Sequence, residues 1–116
     1  MNILFICTAN KQRSPAAEEL VNKTKYNKEN KDKQKYEKHY AKSAGIHPLA
    51  PIQVTQESIK WADKIFVMEN IHKEFLLKNF KVKENKIIVL NIPDMYEKNS
   101  PELVNILKEK LDAYLN

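Results

Sequence analysis

The sequence predicts an α/β fold: a small doubly wound, four-stranded parallel sheet with helices on both faces. Three observations predict it. Short apolar runs alternate four times with helical patterns. The first run, from Ile3 to Cys7, is apolar without interruption, as a strand buried on both faces must be. The chain has 116 residues, and domains typically run about 100–150, so a single domain over 1–116 is expected.

Each element has its own local signal. After the first strand, Ser14-Pro15 reads as a helix N-cap followed by the first helical position. Glu18 and Glu19 lie near the positive end of that helix, which continues through Leu20 and Val21. His39 to Ser43 is a weak second strand, stopped by Ala44-Gly45. The only glycine in the chain stands there, which predicts a backbone conformation that other residues tolerate poorly. Pro48 and Pro51 mark a loop, and Thr55 caps a short helix through Trp61 and Ala62. Lys64 to Met68 is a third strand. Asn70 to Phe80 is a helix with Ile71, Phe75 and Leu76 on one face. Lys86 to Asn91 is the fourth strand. Ser100-Pro101-Glu102 opens a last helix, whose Leu103, Ile106, Leu107, Leu111, Tyr114 and Leu115 follow the 3.6-residue period.

Composition narrows the function classes. Apolar residues make up 42% of the chain, enough for a core, so global disorder is not expected. No apolar run approaches the roughly 18–20 residues of a membrane span. Ile3-Leu4-Phe5-Ile6 is shorter than the roughly 7–15 residues of a signal-peptide core. A single Cys excludes an internal disulfide, and no Cys/His cluster has zinc spacing. The expectation is a cytoplasmic protein with no membrane partner.

The net charge of +5 is unevenly spread. Residues 21–42 carry eight Lys against three acids, which accounts for all of it. Within them, 22–38 is a Lys/Asn-rich stretch read as a flexible insert. Tyr26, Tyr36 and Tyr40 interleave with its lysines, yet no RNA or DNA module surrounds them, so nucleic acid is not the expected partner. The whole chain has 19 Lys and one Arg, so position 13 calls for a guanidinium where an ammonium is the common choice.

That Arg13 lies six positions after the only cysteine, Cys7, across a turn from buried strand to helix. In doubly wound sheets, ligands bind beyond the carboxyl ends of the strands, where the winding reverses. A loop running into a helix start presents unpaired backbone N–H groups and a positive dipole end, a cradle for a tetrahedral dianion. Arg13 adds a planar fork that meets two phosphate oxygens at once. A free thiol is only a few per cent ionised at pH 7. Amide dipoles, the helix start and Arg13 all favour the anion at Cys7, and Ser14 can donate a hydrogen bond to it. A thiolate held beside bound phosphate is suited to attack on phosphorus through a phosphocysteine. A lone Cys ending an apolar strand is otherwise a small buried hydrophobe. The spacing to Arg13 and the following helix start favour the nucleophile.

The leaving oxygen needs a proton donor at the same end of the sheet. Asp63 precedes its strand and lies at the wrong end. Glu69 and Asp94 both follow strands. Glu69 reads as a helix-start residue, and Asp94 sits in a loop stiffened by Pro93. Tyr96 could wall a pocket for an aromatic substrate. His47 and His72 read as structural or surface residues.

The run from Phe5 to Glu18 (FICTANKQRSPAAE) resembles the C-x5-R-S-P-x-A-E signature of the low-molecular-weight protein tyrosine phosphatases. Ser43-Ala44-Gly45-Ile46 resembles that family's S-A-G-T segment, and 62–69 (ADKIFVME) its A-D-x-I-x-V-M strand. Ile92-Pro93-Asp94-Met95-Tyr96 and Ser100-Pro101-Glu102-Leu103 resemble its acid loop and last helix. The resemblance spans nearly the whole chain outside 22–38. It implies a cysteine-dependent phosphatase without metal or cofactor, with Cys7 as nucleophile, Arg13 as phosphate ligand and Asp94 as general acid and then base. Thr8, Ala9, Asn10, Lys11, Gln12 and Ser14 then form the phosphate-binding loop. Asn10 takes a left-handed conformation, and Ser43 supports it from the neighbouring strand. The implied partners are a phosphotyrosine-containing protein or small aryl phosphate, with phosphate or another oxyanion in the site.

The chain departs from the pattern at Ala9, where a Gly is common, and at Gln12, where many members carry a second Cys. Asp94 is followed by Met95 where Pro is usual. Thioredoxin-coupled arsenate reductases share the loop but need further cysteines. Phosphotransferase-system B subunits carry a phosphorylated Cys but need neither Arg13 nor Asp94. The remaining alternative is a catalytically weak module of the same fold that binds a phospho-ligand, its Lys-rich segment recruiting an acidic or nucleic-acid partner.

Overall fold

The computed structural model describes residues 1–24 and 39–115. Most of the Lys/Asn-rich stretch therefore lies outside the described residues. Four parallel strands form one sheet: β1 (Asn2–Cys7), β2 (Tyr40–Gly45), β3 (Lys64–Val67) and β4 (Ile87–Val89), in the order β2-β1-β3-β4. The helices are α1 (Arg13–Thr24), α2 (Gln56–Trp61), α3 (Asn70–Asn79) and α4 (Pro101–Leu115). A 3-10 turn, Glu84–Lys86, leads into β4. None of the described helices is long and apolar enough to cross a membrane.

Side-chain alternation along β1 divides the core in two. Ile3, Phe5 and Cys7 join Phe66 and the inner faces of α1 and α4. Leu4 and Ile6 join Ile65, Val67, Ile59 of α2 and Leu76 of α3 on the other face. Both faces are covered, which is why the strand reads as an unbroken apolar run. Phe5 and Phe66 stack at 5.6 Å, and Tyr114 of α4 meets Phe66 edge-on at 5.5 Å. On α4, Leu103, Leu107, Leu111 and Leu115 are buried, the predicted stripe. Thr55 caps α2 as expected: its Oγ1 accepts from Ser58 N, and Ser58 Oγ accepts from Thr55 N.

Three local expectations are corrected. The second strand does not stop at Ser43. Ala44 and Gly45 pair with Ile6 and Cys7, so β2 runs to the end of β1. Gly45 has no positive φ, so backbone freedom is not why glycine stands there. An added Cβ would lie 2.6 Å from Thr8 O, 2.8 Å from Ala50 Cβ and 2.9 Å from Asn10 N. The requirement is close approach: the loop after β1 rests directly on Gly45. The helical face of α3 also differs, since Leu76 is buried while Ile71 is exposed.

β2 and β3 flank β1 on opposite sides, so the winding reverses beside β1. The carboxyl end of β1, at Cys7, opens onto that reversal, where doubly wound folds bind ligands.

Candidate active site

The loop between Cys7 and Arg13 is held on every side. Cys7 O accepts from Ile46 N at 3.1 Å and Thr8 O from His47 N at 2.9 Å, which ties the loop to the chain leaving β2. Asn10 has φ 55°, the left-handed region that Asn enters more readily than most residues. Its Nδ2 donates to Ser14 Oγ at 3.1 Å and to Ser43 Oγ at 2.9 Å. Ser43 Oγ in turn donates to Glu18 Oε1 at 2.6 Å. The expected tie between Asn10 and Ser43 is present. Glu18, read from the sequence as a helix-dipole residue, anchors it.

Ser14 is not the N-cap. The helix begins at Arg13, and Gln12 O accepts the bond from Ala16 N. Ser14 is fully buried in the first turn, with its Oγ 3.0 Å from Cys7 Sγ. The same oxygen accepts from Asn10 Nδ2 and donates to Ala44 O at 3.4 Å, so the hydroxyl binds the loop and β2 and caps nothing. Cys7 is itself buried, its side chain on the α1 face by strand parity. Gln12 Oε1 accepts from Lys98 N at 2.6 Å, so its side chain binds the loop carrying Asp94 to the rim of the site. Lys11 is exposed at the tip of the Cys7–Arg13 loop.

Arg13 is 2% exposed, and its Nη1 donates to the Glu69 carboxylate and to Ile92 O at 2.8 Å. Its Nε lies 3.8 Å from Asp94 Oδ1. Asp94 itself is 64% exposed, so the carboxyl that approaches the guanidinium also faces solvent. Asn91, with φ 57°, turns the chain after β4 so that Ile92 O and Asp94 both face Arg13. Tyr96 is half-buried against the cluster that contains Cys7, Leu90 and Ile92.

His72 lies at the back of the loop. Its Nε2 is 2.9 Å from Thr8 Oγ1, and its Nδ1 accepts from Glu69 N at 3.0 Å. Burial and then the positive charge of Arg13 push its pKa down to about 4, against the opposing pull of Glu69 and Asp94. The ring is neutral at physiological pH.

Sequence reasoning placed Cys7, Arg13, Ser14, Asn10, Ser43 and Asp94 at one end of the sheet, and they do assemble there. It missed Glu69 as the partner of Arg13 and His72 as the partner of Thr8. The available signal was position alone: Glu69 follows β3 and His72 lies in the first turn of α3, and residues after a strand of this sheet border the same edge.

Comparison with protein-family models and with curated proteins returns no match. Solved structures do match. A low molecular weight protein tyrosine phosphatase from T. tengcongensis superposes with a TM-score of 0.68 at 23% identity, covering 96% of this chain and 97% of that one. Wzb of Vibrio vulnificus, in complex with benzylphosphonate, gives 0.71 at 22% identity over 98% and 96%. A mutant of the YwlE arginine phosphatase with a phosphorylated active-site serine gives 0.69 at 20% identity over 97% and 94%. The fold is that of the low molecular weight protein tyrosine phosphatases. Within this phosphatase fold, the chain's Cys7, Arg13 and Asp94 stand around the loop that joins the first strand to the first helix.

Proposed function

We propose that the chain is a phosphomonoester hydrolase, a protein tyrosine phosphatase that works through a phosphocysteine in the cytoplasm. Backbone N–H groups of residues 8–13 and the Arg13 guanidinium hold the phosphoryl oxygens. The Cys7 thiolate, steadied by Ser14 Oγ, attacks phosphorus as the bond to the leaving oxygen breaks. The Asp94 carboxyl protonates that oxygen. In the second half, Asp94 as carboxylate takes a proton from water while the water oxygen attacks phosphorus. Phosphate forms and the thiolate is released. The proton given up in the first step is recovered in the second. No step calls on a metal or cofactor.

The observation that carries this reading is one of convergence: Ser14 touches the sulfur at 3.0 Å while Asp94 approaches the Arg13 guanidinium at 3.8 Å. Nucleophile and anion ligand come from the two ends of one loop, and the proton donor from a second, distant stretch of chain. The phosphorylated serine in the YwlE neighbour's active site supports a covalent route, and the aryl-bearing benzylphosphonate held by Wzb supports an aromatic phosphate.

The test is hydrolysis of p-nitrophenyl phosphate and phosphotyrosine peptides across pH 5–7 without added metal. Wild type should turn over, and Cys7→Ser should not, while still binding phosphate. Folded wild type that is indistinguishable from Cys7→Ser would instead favour a module that binds a phospho-ligand without hydrolysing it.

A further inference from the structure

The two ends of the Cys7–Arg13 loop are held by one helical turn. Glu69, at the N-cap of α3, takes the Arg13 guanidinium, and His72, three residues on, takes Thr8. The chemistry of the His72 contacts fixes its tautomer. A backbone amide can only donate, so Nδ1, facing Glu69 N at 3.0 Å, carries a lone pair. The single hydrogen of the neutral ring is then on Nε2 and points to Thr8 Oγ1 at 2.9 Å. Thr8 accepts from the ring and keeps its own hydroxyl hydrogen to donate elsewhere. We propose that His72 is a positioning residue for oxyanion binding: it orients Thr8 through Nε2–H, its ring held in place by the Nδ1 lock on the Glu69 amide.

The inference rests on the phosphatase reading above only in taking the Cys7–Arg13 loop as the oxyanion site. The ring is fully buried, and the charged groups around it are Arg13, Glu69 and Asp94. A second ring hydrogen on Nδ1 would confront the Glu69 amide hydrogen and break the lock. The depressed pKa keeps that state unpopulated at neutral pH.

Two amide side chains separate the two contacts. In His72→Gln the terminal amide nitrogen overlies the ring Nε2 and still donates to Thr8. In His72→Asn the amide oxygen overlies Nδ1 and serves the Glu69 amide, but Thr8 is out of reach. Thr8→Val removes the acceptor itself. Titration with inorganic phosphate reads the loop without requiring turnover. His72→Asn and Thr8→Val should each weaken phosphate binding about fivefold, the net loss of one hydrogen bond. The double variant should be no weaker than either, and His72→Gln should stay within about twofold of wild type. Additive losses in the double variant, or equal losses in His72→Asn and His72→Gln, would overturn the proposal. Should His72→Asn fail to fold, nitrogen NMR of the wild-type ring decides: a hydrogen on Nε2 supports the assignment, and a hydrogen on Nδ1 refutes it. Wild type that binds phosphate without hydrolysing it sinks the catalytic reading and leaves these comparisons intact. Wild type that binds no phosphate overturns the positioning role as well.

Discussion

A methyl group added to Gly45 would stand 2.6 Å from the carbonyl oxygen of Thr8, inside van der Waals contact with the backbone of the candidate active-site loop. The atoms it meets on that loop are main-chain atoms, which cannot rotate aside as a side chain can. The last residue of β2 therefore sets how close the loop may lie to the sheet. Gly45→Ala should destabilise the protein by about 1–3 kcal/mol, the range for overpacking a tight site. It should also weaken phosphate binding, because relief of the clash moves the amides of residues 8–10. Urea unfolding and phosphate titration check the two effects, and unchanged values in both would contradict the contact.

Glu69 is the carboxylate that keeps Arg13 in place at nearly complete burial. Glu69→Ala leaves the guanidinium with Ile92 O and the more distant Asp94. Loss of a hydrogen bond to a charged group costs about 1.5–3 kcal/mol, and urea unfolding should show a loss in that range. KM for an aryl phosphate should rise more than kcat falls, since the guanidinium is disordered before substrate arrives. Arg13→Lys, which keeps the charge but not the fork, should lower kcat/KM further than Glu69→Ala does.

The buried His72 ties stability to pH. Its pKa in the folded protein is about 4, below the unfolded 6.5, so the unfolded chain takes up a proton between those values that the folded chain refuses. The sign follows: this contribution is fully present above pH 6.5 and is lost as pH falls toward 4. The full difference is on the order of 3 kcal/mol. Unfolding free energies measured at pH 7.5 and pH 4.5 should fall more steeply for wild type than for His72→Gln. Equal slopes would show that the ring is not held neutral.

Asp94 reaches Arg13 from a solvent-facing position, which suits the proton exchange proposed for it. Asp94→Asn should slow hydrolysis of an alkyl or unactivated aryl phosphate by about 10²–10⁴, the usual worth of general acid catalysis. The loss should shrink for p-nitrophenyl phosphate, whose leaving group needs little help. A uniform loss across leaving groups would assign the proton to another residue.

The amino-acid pattern alone establishes the order of strands and helices along the chain, because alternation and periodicity are local consequences of burying apolar side chains on both faces of a sheet. It also establishes that Cys7 and Arg13 share one loop, six residues apart between strand and helix. Which groups stand behind that loop depends on how distant segments pack. Ser14 looked like a cap because capping is a local property, yet its hydroxyl meets a sulfur seven residues away and the Ala44 carbonyl 30 residues on. Glu69 looked like a helix-start residue, which it is, but its carboxylate answers a guanidinium 56 residues away. Gly45 announced itself as the only glycine without revealing that the constraint was space and not φ. Hydrogen bonds and steric contacts between distant segments depend on sheet order and register, and no local pattern encodes which buried polar group will meet which.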